Sequence, residues 1–138
     1  MEKALFGLYG MSETQQELIE VTEQMLEAIN TGNVETYANL CVPELTCFED
    51  VCHHRIDGVE FHLSLIRQLA QSPALRPTRC DILHPAVQIY DNTAIVTYTR
   101  LMTFNDAGSP RWSTCNETRV FVREATEWKM AHFHRTPV

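Results

Sequence analysis

Between Thr78 and Arg135 apolar and polar residues alternate with a period of two, and this long run narrows what the chain can fold into. Asp91-Asn92, Asp106-Ala107-Gly108-Ser109 and Ala125-Thr126 interrupt it. The interruptions suit antiparallel hairpin turns and leave four strands, at about 78–90, 93–105, 111–123 and 127–135. Pro85 inside the first marks a bulge or an edge position, because proline cannot donate to a sheet ladder. Ahead of Ser72-Pro73 the period is 3.6 instead. Ser12 with Gln15 reads as the capping box of a helix reaching about Asn30. Its buried stripe is Leu18, Ile19, Thr22, Met25, Leu26 and Ile29, and Gly32 stands just past its end. A second helix, about 34–41, buries Tyr37, Leu40 and Cys41 and is ended by Pro43. A short strand follows at 45–49, then a turn with a further short strand or loop to 57. A third helix starts at Asp57-Gly58 and runs to about Gln71 on a stripe of Val59, Leu63, Ile66, Leu69 and Ala70. Helices followed by a run of strands make an α+β domain. A long, bent antiparallel sheet wrapped around the first helix gives a cone with a cavity. Residues 1–11 read as an N-terminal arm and 12–138 as one domain.

Charge and cysteine usage narrow the function. The net charge is −7, from 18 acids against 11 bases, which argues against a nucleic-acid or membrane partner. Only Lys3 and Lys129 are lysines, so the positive charge is mostly guanidinium, suited to planar two-point pairing. The five cysteines, Cys41, Cys47, Cys52, Cys80 and Cys115, are an odd set. With no apolar leader at the start, they imply reduced thiols and a cytoplasmic protein.

Three arginines stand on core-like strand faces: Arg100 with Val96 and Tyr98, Arg119 with Phe121, and Arg135 with Ala131 and Phe133. Buried guanidinium groups are costly unless something negative meets them. Two readings follow. Either the three form an anion pocket for a small carboxylate or an acidic peptide, or Glu49, Glu60, Glu117 and backbone carbonyls satisfy them as structural ion pairs. Tyr98, Glu49 and His62 are the candidates for acid–base chemistry of the isomerase type. Crowding arginines would depress a carboxylate's pKa and weaken it as a base. Cys47, Cys52, His53 and His54 do not have the spacing of a zinc site, and His132 with His134 gives only two ligands, so neither a metal nor a cofactor is expected. The faces opposite the arginines are also apolar, with Val120 and Val122 on one strand and Met130, His132 and His134 on the next. A sheet with one wet face alternates cleanly, so this sheet reads as covered on both sides, the outer one by another copy of the chain.

From about Gln16 to Arg135 the chain resembles the association (hub) domain of calcium/calmodulin-dependent protein kinase II. The resemblance is carried by Val21-Thr22-Glu23-Gln24, Glu27-Ala28-Ile29, Leu45-Thr46 with Phe48-Glu49, and Gly58 with Phe61-His62. It continues in Tyr98 with Arg100, Gly108 with Pro110-Arg111, Glu117-Thr118-Arg119-Val120, and Trp128 with His132-Phe133-His134-Arg135. It implies the nuclear-transport-factor-2-like cone fold, shared with ketosteroid isomerase and polyketide cyclases. The implied function is a non-enzymatic oligomerisation scaffold: dimers close into stacked rings of roughly 12 to 14 subunits or more. It further implies a deep pocket lined by Arg100, Arg119 and Arg135 with His62 nearby, and a kinase attached elsewhere in the family's longer chains. Cys52-His53-His54-Arg55 and Leu63-Ser64-Leu65-Ile66 depart from the family's pattern. No kinase or calmodulin-binding segment precedes residue 12, so the chain reads as an excised domain or a free-standing hub.

Overall fold

A computed structural model describes residues 10–138. Most of the expected arm, 1–9, lies outside the described residues. Met11 packs against the core, and its carbonyl accepts from Gln16 Nε2 at 3.0 Å.

The first helix, α1 (Glu13–Thr31), begins at the expected capping box. Ser12 Oγ accepts from the Gln15 N–H, and Gln15 Oε1 accepts from the Ser12 N–H, satisfying two otherwise orphaned donors. It ends at Gly32 in the left-handed region, φ 73°. Next come α2 (Val34–Asn39), β1 (Cys41–Phe48), β2 (Ile56–Asp57) and α3 (Glu60–Gln71). A single 3₁₀ turn (Pro73–Leu75) leads to β3 (Arg79–Tyr90), β4 (Thr93–Asp106), β5 (Ser109–Glu124) and β6 (Glu127–Pro137). The four expected strands are therefore present. Cys41, however, opens a strand rather than ending a helix. Pro43 is an exposed position in that strand, not a helix stop.

The six strands form one sheet in the order β2-β1-β6-β5-β4-β3. Neighbours from β6 through β3 are antiparallel, whereas β1 lies parallel to β6, with Thr46 opposite His132 and Phe48 opposite His134. A hairpin meander alone does not foretell this pairing, because a parallel neighbour requires a long crossover. Here the crossover is everything from β2 to β5. Pro85 sits where the β3–β4 register shifts, between Leu83 and Ala86, and His84 takes a positive φ of 52° there.

The sheet curves around α1. Leu18, Ile19, Met25 and Leu26 on the helix meet Val96, Tyr98, Phe121, Met130 and Phe133 from the strands in one core. α3 closes the side with Leu63 and Ile66, and α2 contributes Tyr37.

One local feature changes the face assignments. The β5–β6 register shifts between Val120 opposite His132 and Phe121 opposite Met130, leaving Ala131 as an extra residue. The extra residue inverts the alternation along β6. Trp128 and Met130 point inward before it, Phe133 and Arg135 after it. Met130 was expected on the outer face with His132. It is fully buried in the core instead, and the bulge is the reason.

Gly32 offers a test of the helix junction. A Cβ there would stand 2.5 Å from the Ala70 Cβ of α3, on a backbone that side chains other than glycine disfavour by about 1–2 kcal/mol. Gly32→Ala is expected to destabilise the fold by about 2 kcal/mol or more. Urea denaturation at matched protein concentration measures it, and an unchanged midpoint would contradict this account of the α1–α3 contact.

Candidate functional site

The concave face of the sheet holds a connected group of charged and aromatic side chains. β4 and β5 pair with Tyr98 opposite Glu117 and Arg100 opposite Cys115, so four polar groups point into the hollow side by side. Arg119, two residues beyond Glu117, shares that face. The residue is 1% exposed, Arg100 4% and Glu117 1%.

Apart from Arg100 Nε, the polar groups of this cluster meet partners of matching chemistry. Arg119 Nε donates to the Tyr98 hydroxyl at 2.8 Å, and that hydroxyl donates to Glu117 Oε1. Arg119 Nη2 lies 3.6 Å from the same carboxylate oxygen, while Arg100 Nη1 lies 3.5 Å from Oε2. Cys115 Sγ also donates to Oε2, at 3.5 Å. The rest of the Arg119 guanidinium is in soft, polarizable surroundings. Its Cζ sits 4.4 Å from the centre of the Phe133 ring, and Nη1 is 3.1 Å from Met130 Sδ. The inward turn that the bulge gives Met130 supplies this last contact.

Burial alone would raise the Glu117 pKa. The Arg119 and Arg100 guanidiniums and the Tyr98 hydrogen bond outweigh burial and hold it below the usual carboxylate range. Burial, despite Arg119 nearby, drives the Tyr37 and Tyr98 phenols upward, so both stay protonated. Burial, then Glu117, pushes the Cys115 thiol up to about 11. These groups hold fixed protonation states at neutral pH, an arrangement for stabilising charge rather than for passing protons.

A second part lies beyond Phe133. His62, near the start of α3 and 5% exposed, is bonded through Nε2 to Glu49 Oε1 at 2.8 Å, with Tyr37 OH 3.4 Å from Nδ1. Its ring meets that of Phe133 edge-on at 5.5 Å. Glu49 is thereby engaged with His62, and the exposed Glu60 pairs with Arg67. Of the three carboxylates expected as structural partners, Glu117 alone is ion-paired with these arginines among the described residues.

Arg135 differs from the other two. It is half-buried, and among the described residues no carboxylate lies within ion-pair distance of it. Its Nε is buried without a hydrogen-bond partner. It lines an open groove of about 450 Å³ between residues 48–53 and the end of β6, with Phe48, Glu49, Cys52, His53 and His134. Glu117 is thus ion-paired with Arg100 and Arg119, the Arg135 guanidinium adds its field from beyond ion-pair distance, and Arg135 is the one that lines the groove.

On the convex face, Val120, Val122 and His132 are half-buried, whereas Met130 is absent from it. His132 Nδ1 bonds Thr46 Oγ1 at 2.8 Å. Phe48 is 41% exposed and rests against the rings of His132 and His134. Among the described residues no group of His, Cys, Asp and Glu is arranged to hold a metal ion. Sequence reasoning left Tyr37 as a mere stripe residue. The usable signal was that a buried phenol needs a partner for its hydroxyl.

Because Glu117 is the shared counter-ion, Glu117→Gln leaves two buried cations uncompensated and is expected to cost about 3–5 kcal/mol at pH 7. In the wild type the folded-state pKa lies below the unfolded one, so this stability is present above the ordinary glutamate value and is lost as pH falls through the depressed one. Denaturation midpoints from pH 7 to 3 should fall steeply for the wild type and less for the variant. Parallel curves would contradict the assignment.

The comparisons with known proteins agree with this architecture. Residues 14–138 match the family model described as calcium/calmodulin dependent protein kinase II association domain. The delta subunit of that kinase from Oryctolagus cuniculus is 38% identical over 124 residues, covering 88% of this chain and 23% of its own length. The chain thus spans under a quarter of this longer relative. The association domain of the Caenorhabditis elegans kinase superposes with a TM-score of 0.81 at 30% identity, covering 89% of this chain and 95% of that one. A nuclear-transport-factor-2-like protein from Cytophaga hutchinsonii, 14% identical, covers 93% of this chain and 100% of its own with a TM-score of 0.71, a likeness of fold alone. The match of residues 14–138, nearly the whole length, places the chain in the calcium/calmodulin-dependent protein kinase II association domain family.

Proposed function

We propose that the domain is a scaffold whose copies associate through the convex face of the sheet and close into a ring-like homo-oligomer. The observation that carries this reading is the composition of that face. At its centre Ile95, Leu101, Val120 and Val122 stand among Thr97, Thr99 and Thr118, with Phe48 and His132 beside them, all at least partly exposed in the single chain. Lys129 and the Arg79–Asp81 ion pair lie toward its edges. An apolar, threonine-rich centre with charge at the rim has the anatomy of a protein interface, and a solvent face would carry charges throughout. A self-complementary patch favours a two-fold dimer first, and further contacts close a ring. Light scattering or native mass spectrometry at micromolar concentration should give a mass many times that of one chain. Val120→Asp, which introduces a charge at the patch centre, should lower it to smaller species. A wild-type monomer or plain dimer contradicts ring closure.

The concave side is proposed as an anion pocket for a small carboxylate, with Arg135 as the contacting residue and Arg100 and Arg119 supplying positive potential behind it. The support is the imbalance of three guanidiniums around Glu117 and the unpartnered Arg135 Nε at the groove. Arg119 is too deeply integrated for a clean test, since its removal strips Tyr98 and Glu117 of their partner. Arg135→Ala is the better variant. Titration calorimetry with succinate should show binding weakened by at least about tenfold, as expected for a lost charge-assisted bond, with the assembled mass unchanged. Equal binding by the variant removes Arg135 from the pocket.

A further inference from the structure

Five cysteines share this chain, and one has surroundings unlike the rest. Burial pushes the thiol of Cys41 up to about 12 and that of Cys47 up to about 11, and Cys115 is engaged with Glu117. Such thiols are poor nucleophiles. Cys80 on β3 is half-buried, and its sulfur receives two N–H donors, Arg100 Nη2 at 3.5 Å and Asn30 Nδ2 at 3.6 Å. The first is a permanent cation held against the sulfur.

The flanking groups also carry a second, independent feature. Arg100 Nε is buried without an acceptor, on a side chain that is 5% exposed. It lies on the same edge of the guanidinium as Nη2, the edge turned to Cys80, while Nη1 is turned to Glu117. Asn30 Oδ1, on the amide that bonds the sulfur, is buried without a donor. One spare donor and one spare acceptor thus flank one thiol. An S–O–H group needs that complement: its oxygen accepts and its proton donates.

We propose that Cys80 is a peroxide-reactive thiol whose sulfenic acid is held by Arg100 and Asn30. The Cys80 thiolate attacks one oxygen of a hydroperoxide. An S–O bond forms as the O–O bond breaks, the sulfur gives up two electrons, and the peroxide is reduced to water or an alcohol, which takes up the proton the thiol released. The sulfenic oxygen accepts from Arg100 Nε, and its O–H donates to Asn30 Oδ1. A small thiol then attacks the sulfenic sulfur, its oxygen leaves as water and a mixed disulfide forms; a second small thiol breaks that bond, restoring the Cys80 thiol and leaving as the small-molecule disulfide. The site needs no bound carboxylate, so it stands or falls separately from the anion pocket.

The test treats the full chain with hydrogen peroxide in the presence of a 1,3-dione that traps sulfenic acids, then quantifies each cysteine peptide by mass spectrometry. Cys52, equally half-buried but without such donors, is the internal reference. Cys80 should be trapped about tenfold faster than Cys52, and Arg100→Gln and Asn30→Ala should each slow Cys80 several-fold while leaving Cys52 unchanged. Because Arg100 also supports Glu117, Asn30→Ala and the wild-type Cys80-to-Cys52 ratio decide the matter if Arg100→Gln does not fold. Cys80 reacting no faster than Cys52, or at an unchanged rate in Asn30→Ala, overturns the proposal.

Discussion

A guanidinium shut away from water has to be surrounded on every side, and the way Arg119 is surrounded accounts for much of this structure. Its fork is met by Tyr98 and Glu117 from neighbouring strand positions, its flat face by Phe133, and its remaining nitrogen by Met130. Those contacts come from β4, β5 and β6, and they are in reach only because the sheet curls. Burying an ion pair brings little net stability compared with a well-packed apolar core, whereas removing one member is severe. The cluster is therefore better understood as fixing one geometry than as the source of stability, which comes from the apolar contacts between α1 and the strands.

The same cluster keeps positive potential inside an acidic protein. The chain carries −7 overall, but the hollow of the sheet is positive: Glu117 is ion-paired with both Arg100 and Arg119, and Arg135 adds a third guanidinium. Glu49 is held by His62. Phe133 separates the two systems, facing a cation on one side and an imidazole edge on the other.

Much of this was legible in the residues. Period-two alternation located β3 to β6, and Ser12, Gln15 and Gly32 fixed both ends of α1, because local backbone chemistry determines caps and turns. The inward placement of Arg100 and Arg119 followed from strand geometry as well. Met130 was misplaced because one extra residue, Ala131, reverses the phase of a strand, and nothing in its composition announces a bulge. The parallel pairing of β1 with β6, the contact of Tyr37 with His62 and the approach of Asn30 to Cys80 join residues far apart in the chain. Such contacts depend on how elements dock, and no local pattern encodes them.

The β1–β6 pairing also has a consequence for synthesis on the ribosome. Thr46 bonds His132 across 86 residues, so β1 emerges long before its partner strand exists. Until then one edge of β1 has nothing to bond, and Tyr37 and His62 lack the Phe133 ring that closes over them. Non-local pairing of this kind slows folding and leaves strand edges exposed to other chains. The domain therefore completes its sheet only after residue 134 has left the exit tunnel. The convex face is likewise unfinished until the sheet closes, because β1 and β6 both contribute to it.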